Sequence, residues 1–182
     1  ERTAHREVWL VQVGDDPDAR PALLIRAGNA EGAVGVRREL IALDRGRGVG
    51  LIELSDVVGD EHAPAVLVEF ARGPLLADVL AVRSRWDAGE AVAVLGPLAD
   101  AVDRLHQRGV AHGRLRTDAI MLAVTGPLIV SLHGAELINP GAPEAVLARS
   151  GAVAADREWI RMCALDILGR VTGVRAGEAE EL

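Results

Sequence analysis

The stretch from Ala111 to Gly134 (AHGRLRTDAIMLAVTGPLIVSLHG) has the layout of two chemical loops joined by a hairpin. The first loop, His112-Gly113-Arg114-Leu115-Arg116-Thr117-Asp118-Ala119, offers a histidine, two arginines and one acid. Two apolar runs follow, Ile120 to Val124 and Leu128 to Leu132, separated by the turn formers Thr125-Gly126-Pro127. Leu132-His133-Gly134 closes the stretch. A catalytic loop and a metal-binding loop would use this layout, with a carboxylate as base in one and oxygen ligands in the other. Neither loop has its acid where that chemistry needs it. His133 stands without clustered partners, which favours a structural or solvated histidine over a metal ligand.

The 182 residues are 49% hydrophobic, enough to bury a core and build one or two small domains. A net charge of −7 argues against a general nucleic-acid binder, which needs a basic face. All 20 basic residues are arginine, so no function that requires a lysine ammonium is open to this chain. The richness in Ala, Val, Leu, Gly and Arg fits a GC-rich, actinobacterial coding bias. The lone Cys163 cannot form an internal disulfide or a thiolate metal site, which fits a reducing, cytoplasmic setting. No apolar stretch reaches the roughly 18 to 20 residues that span a bilayer, and no signal-peptide pattern opens the chain. The absence of an initiator Met reads as a piece of a longer protein, whose other parts could hold a membrane segment.

The elements that must position these loops are legible from periodicity. Glu7 to Val13 alternates as a half-buried strand, Gly14 to Asp18 is rich in turn formers, and Ala22 to Ile25 is a second strand pairing with the first. Glu31 to Leu43 reads as an amphipathic helix whose start is weakened by Gly32 and Gly35. Strands are expected over Gly50 to Val58 and Ala65 to Phe70. From Leu75 the pattern is helical: Leu75 to Val82, then Ala88 to Arg108 closed by Gly109. A Gly/Pro-rich link spans Asn139 to Glu144, a last helix lies near Asp156 to Val171, and the Glu178 to Leu182 tail is acidic.

This order of strands, one helix, a hinge and a helical part with a hairpin resembles the protein kinase fold, and the motifs carry the resemblance. Glu7-Val8-Trp9-Leu10 is similar to the strand after a glycine-rich loop. Ala22-Leu23-Leu24-Ile25-Arg26 resembles the Val-Ala-Ile-Lys strand, with Arg26 at the lysine position. Arg38-Glu39-Leu40 resembles the helix that carries the lysine's acidic partner, Glu39. Leu67 to Gly73 resembles gatekeeper and hinge, with Val68, Glu69 and Phe70 in those roles. Asp103 to His112 resembles the entry to the catalytic loop of bacterial Ser/Thr kinases, and the likeness extends over residues 1 to 173. It implies an α+β, two-lobed fold: an antiparallel-sheet N-lobe over residues 1–70 and a truncated helical C-lobe over 71–182, together one domain.

The same resemblance exposes what is missing for phosphoryl transfer, which rests on positioning and charge neutralisation. The three glycine positions of the phosphate loop fall on Glu1, Thr3 and Arg6. Arg26 keeps a positive charge but not the compact ammonium, and its expected role is an ion pair with Glu39. Arg114 stands where the base should be and cannot accept a proton at neutral pH. Ala119 replaces the metal-binding Asn, and Leu132, eighteen residues after Arg114, replaces the metal-binding Asp and starts a degraded Asp-Phe-Gly with His133 and Gly134. His112 is expected to be a packed, hydrogen-bonded histidine. Ala142-Pro143-Glu144 is the nearest string to Ala-Pro-Glu, only a few residues on. Asp156 resembles the acid that opens the family's central C-lobe helix.

The resemblance therefore implies a pseudokinase with no catalytic residue, no metal and no cofactor, acting as a binding or regulatory module. Such domains occur in the cytoplasmic part of a lipid II flippase family protein, where a forkhead-associated domain reads a phosphothreonine. A forkhead-associated protein or another kinase domain is the expected partner, with no nucleic acid and no membrane segment in this stretch. Thr117 and Thr172 are the candidate phosphoacceptors among Thr3, Thr117, Thr125 and Thr172. One alternative is a nucleotide-binding or weakly active phosphotransferase with a relocated site, built from Arg26, Glu39, Arg114, Asp118 and His133. The other is an unrelated α+β interaction module, which a single sheet running through both halves would favour.

Overall fold

The fold is that of a computed structural model, which describes residues 5–14, 20–48, 50–60 and 62–172. The alternating N-terminal segment forms β1 (Arg6–Gln12), paired antiparallel with β2 (Pro21–Ala27) so that Val8 faces Ile25 and Glu7 faces Arg26. Two further strands, β3 (Leu54–Gly59) and β4 (Pro64–Glu69), complete a four-stranded antiparallel sheet of order β1-β2-β4-β3. The strand expected from Gly50 starts only at Leu54. Before it, Ile52 donates its N–H to the Ile129 carbonyl at 3.0 Å, so residues 50–52 pair with the later hairpin and only the Glu53 carbonyl reaches the sheet, accepting the Glu69 N–H of β4 at 2.9 Å.

Helix α1 (Ala30–Arg45) packs one face on that sheet. Asn29 caps it, its side-chain oxygen accepting the Gly32 N–H at 2.8 Å. Val36, Glu39, Ala42 and Leu43 form the buried face, three of them apolar and one an acid. Gly32 does not weaken the helix start without purpose. A Cβ there would lie 1.7 Å from the His5 carbonyl oxygen, so only glycine lets the β1 end come this close.

After β4 the chain passes through Gly73, where φ is +157° and a Cβ would sit 2.2 Å from the Leu122 carbonyl oxygen. Two helices follow, α2 (Leu76–Val82) and α3 (Ala88–Gln107), the second opened by a capping box between Asp87 and Glu90. Pro97 lies within α3, which continues through it. The ribbon β5 (Val110–Ala111) pairs with β8 (Glu136–Leu137), and β6 (Ile120–Ala123) with β7 (Gly126–Ile129). The hairpin's loop is Val124-Thr125, since Ala123 faces Gly126 and Leu122 faces Pro127. Gly126 and Pro127 thus belong to a strand, where a proline at a ribbon's edge leaves no ladder donor wanting.

The short helix α4 (Glu144–Leu147) begins at the last residue of the expected Asn139 to Glu144 link, and the last helix, α5 (Gly151–Gly169), starts ahead of Asp156. Ser150 caps α5 by accepting the Val153 N–H at 3.3 Å. The architecture is α+β, with the four-stranded sheet confined to residues before 70 and helices with two small ribbons after it. One buried cluster nevertheless joins sheet residues such as Ile25 and Val66 to Leu98, Leu105, Ile129, Leu132 and Ile167. The Arg45 guanidinium adds to this union by donating to the Gly109 and Ile138 carbonyls at 3.1 and 3.0 Å. Among the described residues no helix is long and apolar enough to cross a membrane.

Candidate functional site

An acid on the buried face of α5 organises the loop between β5 and β6. Asp156 is 1% exposed. Its Oδ2 accepts the His112 N–H at 2.8 Å and its Oδ1 the Gly113 N–H at 2.7 Å, fixing the start of the loop. Oδ2 also accepts a bond from His106 Nε2 of α3 at 3.0 Å. Three donors on one buried carboxylate replace the water it has lost. The sequence does contain a signal for this role: Val153, Asp156, Cys163 and Ile167 share the buried face, and an acid in an apolar helical stripe needs partners.

His112 is buried and both ring nitrogens are engaged. Nε2–H donates to the Ser131 carbonyl at 2.9 Å, and Nδ1 accepts the Arg114 N–H at 3.3 Å. Burial holds the imidazole below its ordinary pKa, against the pull of Asp156 and of the Ser131 carbonyl, so it is neutral near pH 7. The Ser131 bond ties the loop to the segment just before Leu132-His133-Gly134. These two segments are brought together as the sequence layout requires.

The side chains that would carry chemistry are placed otherwise. Arg114 is exposed. Arg116 grips Asp118 with a fork of 2.7 to 3.2 Å, which holds the Asp118 carboxyl below its usual range. Thr117 and Ala119 lie half-buried in the 3-10 turn Thr117–Ala119. Leu132 is 0% exposed and belongs to the central core cluster, while His133 and Gly134 are exposed. Among the described residues no group of three or more His, Cys, Asp or Glu side chains is arranged to hold a metal.

The ion pair at α1 corrects the sequence expectation. Glu39, 1% exposed, is held not by Arg26 but by Arg6 of β1. Arg6 Nε donates to Oε2 at 3.1 Å and its NH2 group to Oε1 at 3.0 Å, a bidentate fork. Arg26 instead pairs with Glu7 at 3.0 Å and is 55% exposed. The reason is strand geometry. Successive side chains point to opposite faces, so Arg26 lies on the face away from its neighbour Ile25, which is buried with Val36 of α1. Arg6, two residues before Val8 and on its face, is the arginine that turns towards the helix.

Glu1 and Thr3 lie outside the described residues. Val68 is fully buried within the sheet, Glu69 is exposed and Phe70 half-buried, where β4 leads out towards Gly73. Thr172 is exposed, with its N–H on the Trp86 carbonyl at 3.2 Å. Glu144 ties α4 to α5 through Arg157 at 2.8 Å.

No family model matches the chain. It is similar to CBL-interacting protein kinase 3 of Oryza sativa, 29% identical over 104 residues, 57% of this chain and 23% of that protein. It is likewise similar to CBL-interacting serine/threonine-protein kinase 21 of Arabidopsis thaliana, 29% identical over 99 residues, 54% of this chain and 24% of that one. A third likeness is to an AAA ATPase forming ring-shaped complexes from Micrococcus luteus, 37% identical over 110 residues, 56% of this chain and 18% of that protein. The chain spans about a quarter of the length of the plant kinases it matches, and this likeness supports a distant protein-kinase-like relationship.

Proposed function

We propose that this chain is a pseudokinase domain: a two-lobed kinase-like scaffold, hinged at Val68 to Phe70, that binds or regulates and does not transfer phosphate. The observation that carries the reading is Leu132, wholly buried in the core where the kinase resemblance calls for a metal-binding acid. A leucine has no oxygen for magnesium, and its inward packing commits the position to stability. Arg114 in place of the base, Ala119 in place of the metal-binding Asn and the Arg116 fork on Asp118 support the same reading. The binding role is that of the cytoplasmic part of a larger bacterial protein of the lipid II flippase type. Its partner is a forkhead-associated protein or another kinase domain, with Thr117 or the exposed Thr172 as phosphoacceptor. Titration with ATP tests this by thermal shift, with and without Mg²⁺ or Mn²⁺. No metal-dependent rise in melting temperature is expected; such a rise would overturn the proposal.

The Arg6–Glu39 fork favours one second reading, in which a relocated cation receives a nucleotide's phosphates without metal. In that case ATP stabilises the chain equally with and without Mg²⁺, and Arg6→Met removes the effect. Arg6 is already spent on both Glu39 oxygens, which is why the first reading is preferred.

A further inference from the structure

A groove lies on the outer side of the β4–α2 connection, and apart from the hinge residue Glu69 its lining has no role given so far. It has a volume of about 460 Å³ and is floored by Leu51, Ala71 and Leu128. One wall is the tip of the β6–β7 hairpin, where Val124 is fully exposed. A two-residue hairpin loop favours Asn and Gly, so Val124-Thr125 departs from ordinary turn chemistry and puts an apolar side chain into solvent. The other wall holds Glu53 and Glu69, juxtaposed because the Glu69 N–H donates to the Glu53 carbonyl at 2.9 Å. Both acids are exposed, and neither side chain has a hydrogen-bond or ion-pair partner among the described residues. Like charges opposite one another across two strands oppose pairing. Arg47 also lines the groove but is turned to Asp44 at 3.1 Å.

The groove runs on into a second open cleft of about 850 Å³ that shares Glu53 and Glu69 and extends beside Ser55 and Asp56 of β3. Arg20, Pro21 and Ala22 at the start of β2 and Leu67 of β4 line it as well, so this cleft crosses the sheet at one end of its strands. Together the two clefts make a long open channel across the strand ends, shaped for an extended polypeptide whose alternate side chains enter its pockets.

We propose that this groove docks an extended segment of a partner protein, with a basic side chain between Glu53 and Glu69 and an apolar one against Val124, Leu128 and Leu51. The proposal rests on the reading of the chain as a binding module and names its surface. The uncompensated acid pair selects a cation, and the exposed valine beside a leucine floor selects an aliphatic neighbour. Arg72, exposed on the same rim, disfavours a second basic residue at that end.

The test is fluorescence anisotropy on the intact chain. The probe is a labelled, end-capped nonapeptide with a single arginine followed by leucines at alternate positions, and its counterpart has glutamate for the arginine. Saturable binding of the arginine peptide is expected, weakened at least about tenfold by E53Q/E69Q and by Val124→Asp, with the glutamate peptide inert. Because both acids are exposed, E53Q/E69Q folds and melts no lower than the parent, which separates lost docking from lost folding. Binding absent up to about 1 mM, shared by the glutamate peptide, or unchanged in both variants overturns the groove. Self-association that these variants abolish, with no peptide binding, overturns it too and assigns the surface to a second copy. None of these results touches the ATP titration, so failure of the groove and failure of the pseudokinase reading remain distinguishable.

Discussion

Replacing Arg6 by methionine isolates the buried ion pair. The methionine keeps much of the aliphatic bulk and removes the fork, leaving the Glu39 carboxylate 1% exposed and without its 3.0 and 3.1 Å donors. Removing one partner of a buried pair costs about 3 to 5 kcal/mol because the other charge is left uncompensated. For a chain of this size that lowers the melting temperature by about 6 to 20 °C. Arg26→Ala, which breaks a pair with an exposed arginine, costs less than about 1 kcal/mol. Urea denaturation of both variants, and of Arg6→Met/Glu39→Leu, checks the account; the double variant recovers most of the loss. An Arg6→Met loss below about 1 kcal/mol, or an equal loss in Arg26→Ala, would refute the assignment of Arg6 as Glu39's partner.

Three further outcomes follow from the same geometry. Leu132→Ala destabilises by about 2 to 5 kcal/mol in urea unfolding, and Leu132→Asp, which restores the kinase acid, by at least as much because it buries an unpaired carboxylate. His112 has a depressed pKa in the folded chain, so the unfolded chain binds its proton more readily. Its contribution is intact above about pH 6.5 and is lost as pH falls below that value. An NMR titration of the imidazole should find the midpoint below the unfolded value, and a midpoint above it would contradict the hydrogen-bonded, buried placement. Burial, with the nearby Asp166 carboxylate, pushes the Cys163 thiol up to about 11, so at pH 8 it should react with an aromatic disulfide only as fast as the chain unfolds. A rapid reaction in native buffer would contradict that burial.

Much of the scaffold was legible because burial writes itself as periodicity. β1, β2, α1 and α3 lie within a few residues of where alternation or 3.6-residue spacing puts them. What sequence left open is what depends on contacts distant along the chain. Arg26 looked like the partner of Glu39 by motif, but a one-residue difference in strand position turns a side chain to the other face. Propensity alone makes Gly32 a flaw in a helix, whereas the close approach of the His5 carbonyl gives it a purpose. Thr125-Gly126-Pro127 looked like the turn on composition, whereas pairing of Ala123 with Gly126 moves the loop to Val124-Thr125. Asp156 was visible as an acid, yet its service to His106, His112 and Gly113 comes from packing α5 against the loop. The juxtaposition of Glu53 and Glu69 likewise needs the strand register to be known.

The central claim is that the positions resembling a kinase's catalytic machinery now serve as scaffold. It is tested most directly by incubating the chain for hours with labelled ATP and Mg²⁺ or Mn²⁺, alone and with a generic Ser/Thr substrate protein, and reading incorporated phosphate. The account predicts no incorporation above that of heat-denatured chain. Incorporation that requires the native fold and disappears in Glu39→Gln would contradict it.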